Sequence, residues 1–155
     1  MNKLDFDSLC QEVLEKLRYE KSIVLSTASG NKVTARTMSH VNDELKIMAQ
    51  TGGNSEKVLQ IRANPNVAFA ISNIQIEAVA VICGHPLDAQ NHRFIELYMQ
   101  KFPQYFEKYT NHPDEVLLSF QPVKITFYKY IDGEPRKDIL DVVNKKAYRT
   151  TFIAI

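Results

Sequence analysis

The sequence has almost no excess of charge of either sign. It carries 19 lysines and arginines against 18 aspartates and glutamates in 155 residues, for a formal net charge of +1. Such a balance provides no overall field to attract a nucleic acid or an anionic membrane surface. We therefore expect neither kind of partner, and any anion-binding site must be local.

Cysteine is also scarce. The two cysteines, Cys10 and Cys83, fall in segments with helix and strand patterns and show no metal-ligand spacing. The four histidines show no ligand spacing either. These features favour two free thiols in a reducing compartment and no metal site, so we expect a cytoplasmic protein.

Long apolar runs are absent. The N-terminal stretch MNKLDFDSLCQEVLEKL is amphipathic and acidic, which is unlike a signal peptide or a membrane span. Hydrophobic residues make up 45% of the chain and charged residues 24%, which is typical of a globular protein. The length fits a single domain, which we assign to residues 1–155.

Periodicity predicts helices at two places and strands at six. Apolar residues at helical spacing predict a helix over 5–20 and a second, interrupted at Pro103, over 88–109. β-branched and apolar runs between turn residues predict strands over 22–28, 32–41, 45–50, 66–72, 76–84 and 119–131. The first three strands are expected to form an antiparallel meander. The strands 66–72 and 76–84 are nearly continuous in apolar residues, which predicts that both of their faces are covered.

The order of these elements predicts the fold class. No regular alternation of strand and helix supports a parallel sheet. Antiparallel arrangements of about six strands usually close into a barrel or pack as a sandwich. We expect a mainly β (α+β) protein, built as a partly open antiparallel barrel with peripheral helices, and we assign no structure to the tail from Arg136 onward.

The most unusual stretch is TGGNSEKVLQIRANP, residues 51–65. It predicts a short helix over 55–63, entered through two glycines that let a ligand come close. Asn54 or Ser55 can cap this helix, whose free N–H groups can bind an anion. Lys57 lies in the first turn, where the helix dipole disfavours a cation by about 0.3–1 kcal/mol. An anion bound there would reverse that penalty.

A second cation lies upstream, in the strand pattern around ARTM. Arg36 and Met38 fall on one face of this strand, and Thr37 falls on the other. A charge among apolar or small neighbours needs an anionic partner or an exit to water. Four residues can thus converge on one phosphate group: Arg36, Thr51, Ser55 and Lys57.

Plainer interpretations exist for both cations. Gly-Gly-Asn-Ser is also a common loop sequence, and Arg36 can be solvated or paired with Glu77. The Walker order of glycine, lysine and hydroxyl is absent, and so is the Rossmann glycine fingerprint.

The order and spacing of these motifs resemble those of a known family. The motifs are Arg36-Thr37-Met38, Thr51, Ser55-Glu56-Lys57 and Asn64-Pro65, followed by the apolar strand VAFAI. This series resembles the pyridoxamine 5′-phosphate oxidase-like family of flavoproteins, the FMN-binding split barrels. The likeness covers residues 21–84 well and the rest of the chain loosely.

The resemblance implies a fold, a cofactor and a set of binding residues. The fold is a six-stranded antiparallel split β-barrel that forms a homodimer, with FMN at the subunit interface. Arg36 and Lys57 would hold the FMN phosphate, with Ser55 and Thr51 as hydrogen-bonding partners. The backbone near Thr37, Met38 and Ala49 would line the isoalloxazine ring, and Gln50 is the remaining implied cofactor-binding residue.

The implied activity is that of an oxidoreductase on a small molecule, with the FMN reduced either by NAD(P)H or by the substrate. Relatives that use a deazaflavin coenzyme or bind haem share the barrel, so these cofactors are alternatives to FMN. The tail RKDILDVVNKKAYRTTFIAI lacks the Arg-Leu-His-type motif with which the authentic oxidase binds its pyridoxal substrate, so a different substrate is expected. One alternative is a flavin- or haem-binding protein of the same fold that acts as a carrier or sensor without turnover. Another is an interaction domain with no cofactor.

An aromatic band follows the interrupted helix. One interpretation assigns it to core and dimer packing, and the other makes part of it the wall of a substrate pocket above the flavin. Its members are Phe94, Tyr98, Phe102, Tyr105, Phe106 and Tyr109.

Overall fold

The computed structural model describes residues 2–151, which form one mostly antiparallel β-sheet with three helices and short helical turns. The helices are α1 (Phe6–Tyr19), α2 (Glu56–Ala63) and α3 (His92–Lys101). The strands are β1 (Asn2–Leu4), β2 (Ser22–Ser29), β3 (Lys32–Ser39), β4 (Val41–Asp43), β5 (Lys46–Gly52), β6 (Asn66–Ile71), β7 (Ile74–Ile82), β8 (Glu115–Ile131), β9 (Glu134–Asp141) and β10 (Lys146–Thr151). The expected fold class is confirmed.

The sheet is open rather than closed. Its strands follow the order β1-β10-β9-β8-β7-β6-β2-β3, and β5 joins this path by pairing with β8. Among the described residues β3 pairs only with β2, so its other edge is free. The predicted meander is wrong at its third strand. After β3 the chain enters the short strand β4, which pairs with β5, and β5 lies against β8 instead of β3.

Strand β8 holds the two halves of the sheet together. It is 17 residues long, and β7 runs along one of its edges. On the other edge, its first part pairs with β5 and its last part pairs with β9. Pro122 lies in the gap between these two partners, after the last β5 pair at Phe120 and before the first β9 pair at Lys124. A proline is tolerated there because no ladder hydrogen bond needs its missing N–H.

Strands β6 and β7 bury one face only. Buried and more exposed residues alternate along both strands, as expected when one side packs on the barrel interior. Val79 and Val81 of β7 therefore point outward and are 37% and 56% exposed. The expectation that both faces are covered is wrong for the single chain, because nothing in residues 2–151 packs on the outer face of these positions.

Helix α1 closes one side of the barrel. Its N-terminus is capped by Asp5, whose carboxylate accepts the backbone N–H of Ser8 at 2.8 Å. Its buried face consists of Leu9, Val13, Leu14 and Leu17. In the part of the chain that the structure describes, no helix is both long and apolar enough to cross a membrane.

Helix α3 covers a second, smaller core with β4, β5 and β8. It ends at Lys101, and a 3₁₀ turn (Pro103–Tyr105) and one π-helical turn (Phe106–Thr110) follow. The predicted interruption at Pro103 is therefore confirmed. The ring at Pro103 removes a backbone donor that a continuing helix would need.

A buried ion network fastens α1 to the last strands. Asp138 of β9 is 1% exposed and accepts two hydrogen bonds from Arg149 of β10, at 2.7 and 2.9 Å. Lys129 of β8 donates to Asp138 and to Glu12 of α1, both at 2.8 Å. Burial alone would raise the pKa of Asp138, but the hydrogen bonds from Arg149 and Lys129 outweigh it and lower that pKa. The chain thus supplies every counter-charge that this carboxylate needs.

Candidate functional site

A cleft of about 470 Å³ opens beside the free edge of β3. One wall is the run Arg36–Ser39 of β3, and another is Gln50–Gly52 of β5, beyond the part of β5 that pairs with β4. The remaining lining residues are Lys57 of α2, Tyr98, Tyr105, Tyr109 and Glu115. The structure thus brings six of the eight predicted site residues to one cleft: Arg36, Thr37, Met38, Gln50, Thr51 and Lys57.

Arg36 reaches the cleft from a neutral setting. Its guanidinium donates to the Thr27 hydroxyl at 2.8 Å, to the Leu25 carbonyl at 3.3 Å and to the Thr34 hydroxyl. None of these groups carries a charge. Burial lowers the pKa of Arg36, and the attraction of Glu56 opposes this shift. The interpretation that pairs Arg36 with Glu77 is wrong, because the carboxylate of Glu77 lies 4.0 Å from the amine of Lys124 instead.

Lys57 also has a neutral partner. Its Nζ donates to the Thr51 hydroxyl at 2.8 Å. Burial lowers the pKa of Lys57, the nearby charge of Arg36 lowers it further, and Glu115 opposes both effects. No salt bridge within 4.0 Å includes Arg36 or Lys57 anywhere in residues 2–151. Two cations that repel each other therefore share one cleft, and neither has a carboxylate oxygen within 4.0 Å in the described chain.

The start of α2 adds an unpartnered polar atom. Ser55 precedes the helix, and no side chain caps the first turn. The Oγ of Ser55 is buried and has no hydrogen-bond partner among the described residues. Buried hydroxyls are normally paired, so this one is a candidate for a ligand contact. Ser55 lines a smaller cleft of about 280 Å³, which shares Gly52, Tyr109 and Glu115 with the larger one.

The two glycines before α2 have different roles. A Cβ on Gly53 would lie 2.8 Å from the backbone oxygen of Asp114 and 3.1 Å from a methyl group of Val116. The Gly53 N–H donates to that Asp114 oxygen at 2.7 Å. A Cβ on Gly52 would meet nothing within 4 Å. Gly53 is therefore needed for a close approach to the chain itself, whereas the sequence suggested an approach to a ligand.

The aromatic band is divided between core and cleft. Phe94 and Phe102 are buried in the smaller core, as the packing interpretation predicts. Tyr98, Tyr105 and Tyr109 line the cleft, and the last two are 38% and 46% exposed. Phe102 lies between Tyr98 and Tyr105, with ring centroids 5.4 and 6.2 Å away. The cleft therefore has a cationic end and an aromatic wall.

Gln50 lies beneath this aromatic wall. Its Oε1 accepts a hydrogen bond from the Thr110 hydroxyl at 3.1 Å. Its Nε2 is buried and finds no acceptor of good geometry in the described chain. Ala49, the neighbouring predicted residue, is 3% exposed and packs in the main core, so its side chain does not line the cleft.

Glu115 is the charged lining residue that sequence reasoning missed. It begins β8 opposite Gly52 of β5. Burial raises the pKa of Glu115, while His112, His85 and Lys57 oppose that shift. Gly52 and Glu115 are far apart in the sequence, and no local pattern indicates their pairing. Ser39 was missed because it was read as one more position of a longer strand.

No metal centre accompanies these residues. Residues 2–151 contain no group of three or more histidine, cysteine, aspartate or glutamate side chains that could hold a metal ion. His40 is buried away from the cleft, and His85 binds the backbone oxygen of His112 at 2.9 Å. Cys10 and Cys83 are free thiols.

Comparison with known proteins gives a consistent picture. A family model described as pyridoxamine 5′-phosphate oxidase matches residues 9–129. Sequence comparison with curated proteins finds no match.

Several solved structures share the fold. General stress protein 26 from Bacillus anthracis is 20% identical, with a TM-score of 0.63 over 77% of this chain and 92% of that protein. The haem storage protein HutZ from Vibrio cholerae is 14% identical, with a TM-score of 0.62 over 72% and 88%. An FAD-binding protein from Mesorhizobium loti is 10% identical, with a TM-score of 0.61 over 74% and 88%. Identities this low establish a shared split-barrel fold only.

Proposed function

Because the chain belongs to the pyridoxamine 5′-phosphate oxidase family, we propose that it is an FMN-binding flavoprotein that acts as an oxidoreductase on a small molecule. The observation that carries this proposal is the pair of cations, Arg36 and Lys57, which share one cleft without a carboxylate partner. A phosphate dianion at this place would supply the counter-charge. The buried, unpartnered Oγ of Ser55 at the start of α2 fits the same group.

Each part of the cleft has a role in this proposal. Arg36 and Lys57 bind the phosphate through charge-assisted hydrogen bonds, and Ser55 and Thr51 contribute hydroxyls. The free edge of β3 from Arg36 to Ser39 presents unpaired backbone groups that can recognise the polar rim of a flavin ring. The Gln50 amide lies beside that edge. Bound FMN would supply the electron-transfer chemistry that side chains do not provide.

The aromatic wall is the part left for the substrate. Tyr98, Tyr105 and Tyr109 offer flat apolar surfaces with polar tips, which suit a small ring-bearing molecule. NAD(P)H is the proposed electron donor. The two free thiols favour a reducing compartment, so we place this activity in the cytoplasm.

We further propose a homodimer with the cofactor at its interface. The outer face of β2, β6 and β7 carries exposed apolar side chains, including Val24, Val79 and Val81. A second copy would cover that face and narrow the open cleft. Light scattering of the purified protein gives its mass directly, and Val81→Lys is expected to shift the mass from dimer toward monomer. A monomeric parent protein would remove this part of the proposal.

The test of the main proposal is a titration with FMN, followed by flavin absorbance after desalting. We expect Lys57→Ala and Arg36→Ala each to weaken FMN binding by about tenfold to a hundredfold, since a hydrogen bond to a charged group contributes about 1.5–3 kcal/mol. Lys32→Ala is the matched control. Lys32 lies near the same helix but pairs with Glu56 at an exposed position, so we expect unchanged binding.

Three results separate the candidate functions. Oxidation of NADH or NADPH by the FMN-loaded protein supports the oxidoreductase, whereas bound flavin without turnover supports a carrier or sensor. A Soret band on addition of haem, with no flavin binding, would favour the haem alternative suggested by one structural neighbour. A protein that binds neither compound would overturn the proposal.

A further inference from the structure

A second cleft, of about 400 Å³, lies between the end of α1, the turn after β4 and helix α3. It shares no described lining residue with the proposed cofactor cleft. The last residue of α3, Lys101, lies in its wall together with Arg18 and Arg93. The function proposed above makes no use of this cleft.

The amine of Lys101 ties α3 to the end of α1. Its Nζ donates to the backbone carbonyls of Leu17 at 3.0 Å and Glu20 at 2.9 Å. These carbonyls end α1, where the helix dipole attracts a cation. Within the described chain, however, no carboxylate oxygen lies within 4.0 Å of this Nζ. The amine is held by neutral acceptors only.

A buried imidazole lies beside this amine. The Nε2 of His40 is 3.0 Å from the Leu17 carbonyl oxygen and 3.4 Å from the Nζ of Lys101. A carbonyl oxygen can only accept, so the Nε2 of His40 must carry a proton and donate it. Two donors thus converge on the Leu17 oxygen and face each other 3.4 Å apart. A neutral amine relieves this conflict, because it has one donor fewer than an ammonium group.

Burial of the amine also favours its neutral form. Burial lowers the pKa of Lys101 to about 8, with Lys21 adding to the shift and Glu20 opposing it. His40 stays neutral, since burial and then the charge of Lys101 lower its pKa to about 4. The other charged groups that line the cleft are Arg18 from α1, Asp43 and Glu44 from the β4 region, and Arg93 from α3.

We propose that Lys101 is an acylation site, at which a small acyl phosphate transfers its acyl group to Nζ. The lone pair of the neutral amine attacks the acyl carbonyl carbon, and an N–C bond forms. The C–O bond to phosphate breaks, inorganic phosphate leaves with the electron pair, and the surplus proton on nitrogen passes to water in the cleft. No oxidant or reductant is needed.

An acyl phosphate matches this cleft because the donor is an anion. Arg18 lines the cleft and forms no salt bridge within 4.0 Å in residues 2–151. Arg93 lines it too, but it is paired with Asp43 at 3.6 Å and with Glu96 at 3.2 Å, so Arg18 is the cation left for the donor. Cations at the mouth of a cleft raise the local concentration of an anionic reagent and assist the departure of phosphate.

Acylation would change the contact between α1 and α3. An acylated Lys101 has no charge and a single N–H, so at least one of the two α1 carbonyls loses its donor. The same helix α3 carries Tyr98, which lines the cofactor cleft. The modification therefore acts on a helix that forms part of the proposed active site.

The experiment measures site-resolved acetylation of the full chain by acetyl phosphate at pH 8, using peptide mass spectrometry. The comparison residue is Lys145, which is exposed in a turn. At this pH about half of an amine with a pKa near 8 is neutral, against about 0.3% of an ordinary lysine. We expect Lys101 to react at least about tenfold faster than Lys145. Equal or slower reaction of Lys101 would overturn the proposal.

Two controls separate a folded site from an intrinsically reactive peptide. In a high urea concentration that unfolds the chain, the advantage of Lys101 is expected to vanish; if it persists, the cleft does not cause it and the proposal fails. Lys101→Arg keeps the positive charge, and we expect it to abolish the fast acetylation while leaving acetylation of the other lysines unchanged. Arg18→Gln should slow acetylation of Lys101 several-fold with acetyl phosphate and leave it unchanged with a neutral acetylating reagent. If Arg18→Gln and the parent protein react with acetyl phosphate at the same rate, this cleft does not bind the phosphate group of the donor.

Discussion

Two groups of buried or partly buried charges in this molecule differ in whether the chain itself supplies the counter-charge. Where α1 packs on the last strands, which we call the closed side of the sheet, Asp138 has both Arg149 and Lys129 within hydrogen-bond distance. In the cleft beside the free edge of β3, which we call the open side, Arg36 and Lys57 form hydrogen bonds with hydroxyls and a carbonyl but with no carboxylate. Burying a charge is costly unless it is paired, so the first arrangement is complete and the second is not. The incomplete one lies in a cleft, which is why we assign it to a ligand.

The largest expected effect breaks the complete arrangement. Asp138→Asn removes the buried acid, so Arg149 loses its carboxylate partner and Lys129 keeps only Glu12. We expect the free energy of unfolding to fall by about 3 kcal/mol. Urea unfolding measures it. Glu134→Gln, at an exposed position of the same strand, should change stability by less than about 0.5 kcal/mol. A small effect of Asp138→Asn would show that this network does not stabilise the fold.

A second experiment concerns His40, a buried group that stays neutral beside the amine of Lys101. Its folded-state pKa is about 4 against an ordinary 6.5, so the unfolded chain takes up the proton first as pH falls. Stability from this group is therefore present above pH 6.5 and is lost progressively down to pH 4, by about 3 kcal/mol in total. Urea unfolding between pH 7 and 4 measures the slope. His40→Asn should flatten it, and an unchanged slope would assign the acid sensitivity to other groups.

A third experiment tests how the open side is positioned. Gly53→Ala places a Cβ against the Asp114 oxygen, so we expect a loss of about 1–2 kcal/mol. Gly52→Ala meets no atom within 4 Å and should be close to neutral. Thermal unfolding of the two variants compares them directly. Equal losses would mean that the contact with β8 does not hold the start of α2.

The smallest expected effect has the opposite sign. Lys57→Gln removes an unpaired cation from the first turn of α2, so the ligand-free protein should gain about 0.5 kcal/mol. The same change should weaken FMN binding. Lys32→Gln removes a cation that pairs with Glu56 and should give no gain. If Lys57→Gln destabilises the ligand-free protein, the lysine belongs to the fold and not to a ligand.

Much of the open side could be predicted from sequence because its signals are local. A lysine in the first turn of a helix and an arginine within a strand can both be recognised from a few neighbouring residues. The structure places both in one cleft. Glu115 could not be found this way, since only the pairing of β5 with β8 brings it there.

The ion network of the closed side was harder to predict, although its charges are paired within the chain. Asp138 occupies a buried position of β9, so a charge stands where the strand pattern requires an apolar residue. Its partner Arg149 lies at a half-buried position of β10. The charged residue of each strand is stabilised by its partner on the other strand. Neither strand can therefore be recognised from its own sequence pattern. The tail from Arg136 onward therefore gave no prediction, and the number of strands was underestimated.

The length of β8 has a consequence for how the chain folds. Its pairing with β9 joins adjacent strands in the sequence, and its pairing with β7 joins Ile82 to Leu118 across α3. Its pairing with β5 joins the still more distant Ile47 and Phe120. Contacts between distant residues form slowly, because the loop between them must first be closed. We expect β7, β8 and β9 to assemble early and the β5 wall to join late. A ligand that bridges β3 and β5 would then act after the rate-limiting step, slowing unfolding and leaving the folding rate nearly unchanged.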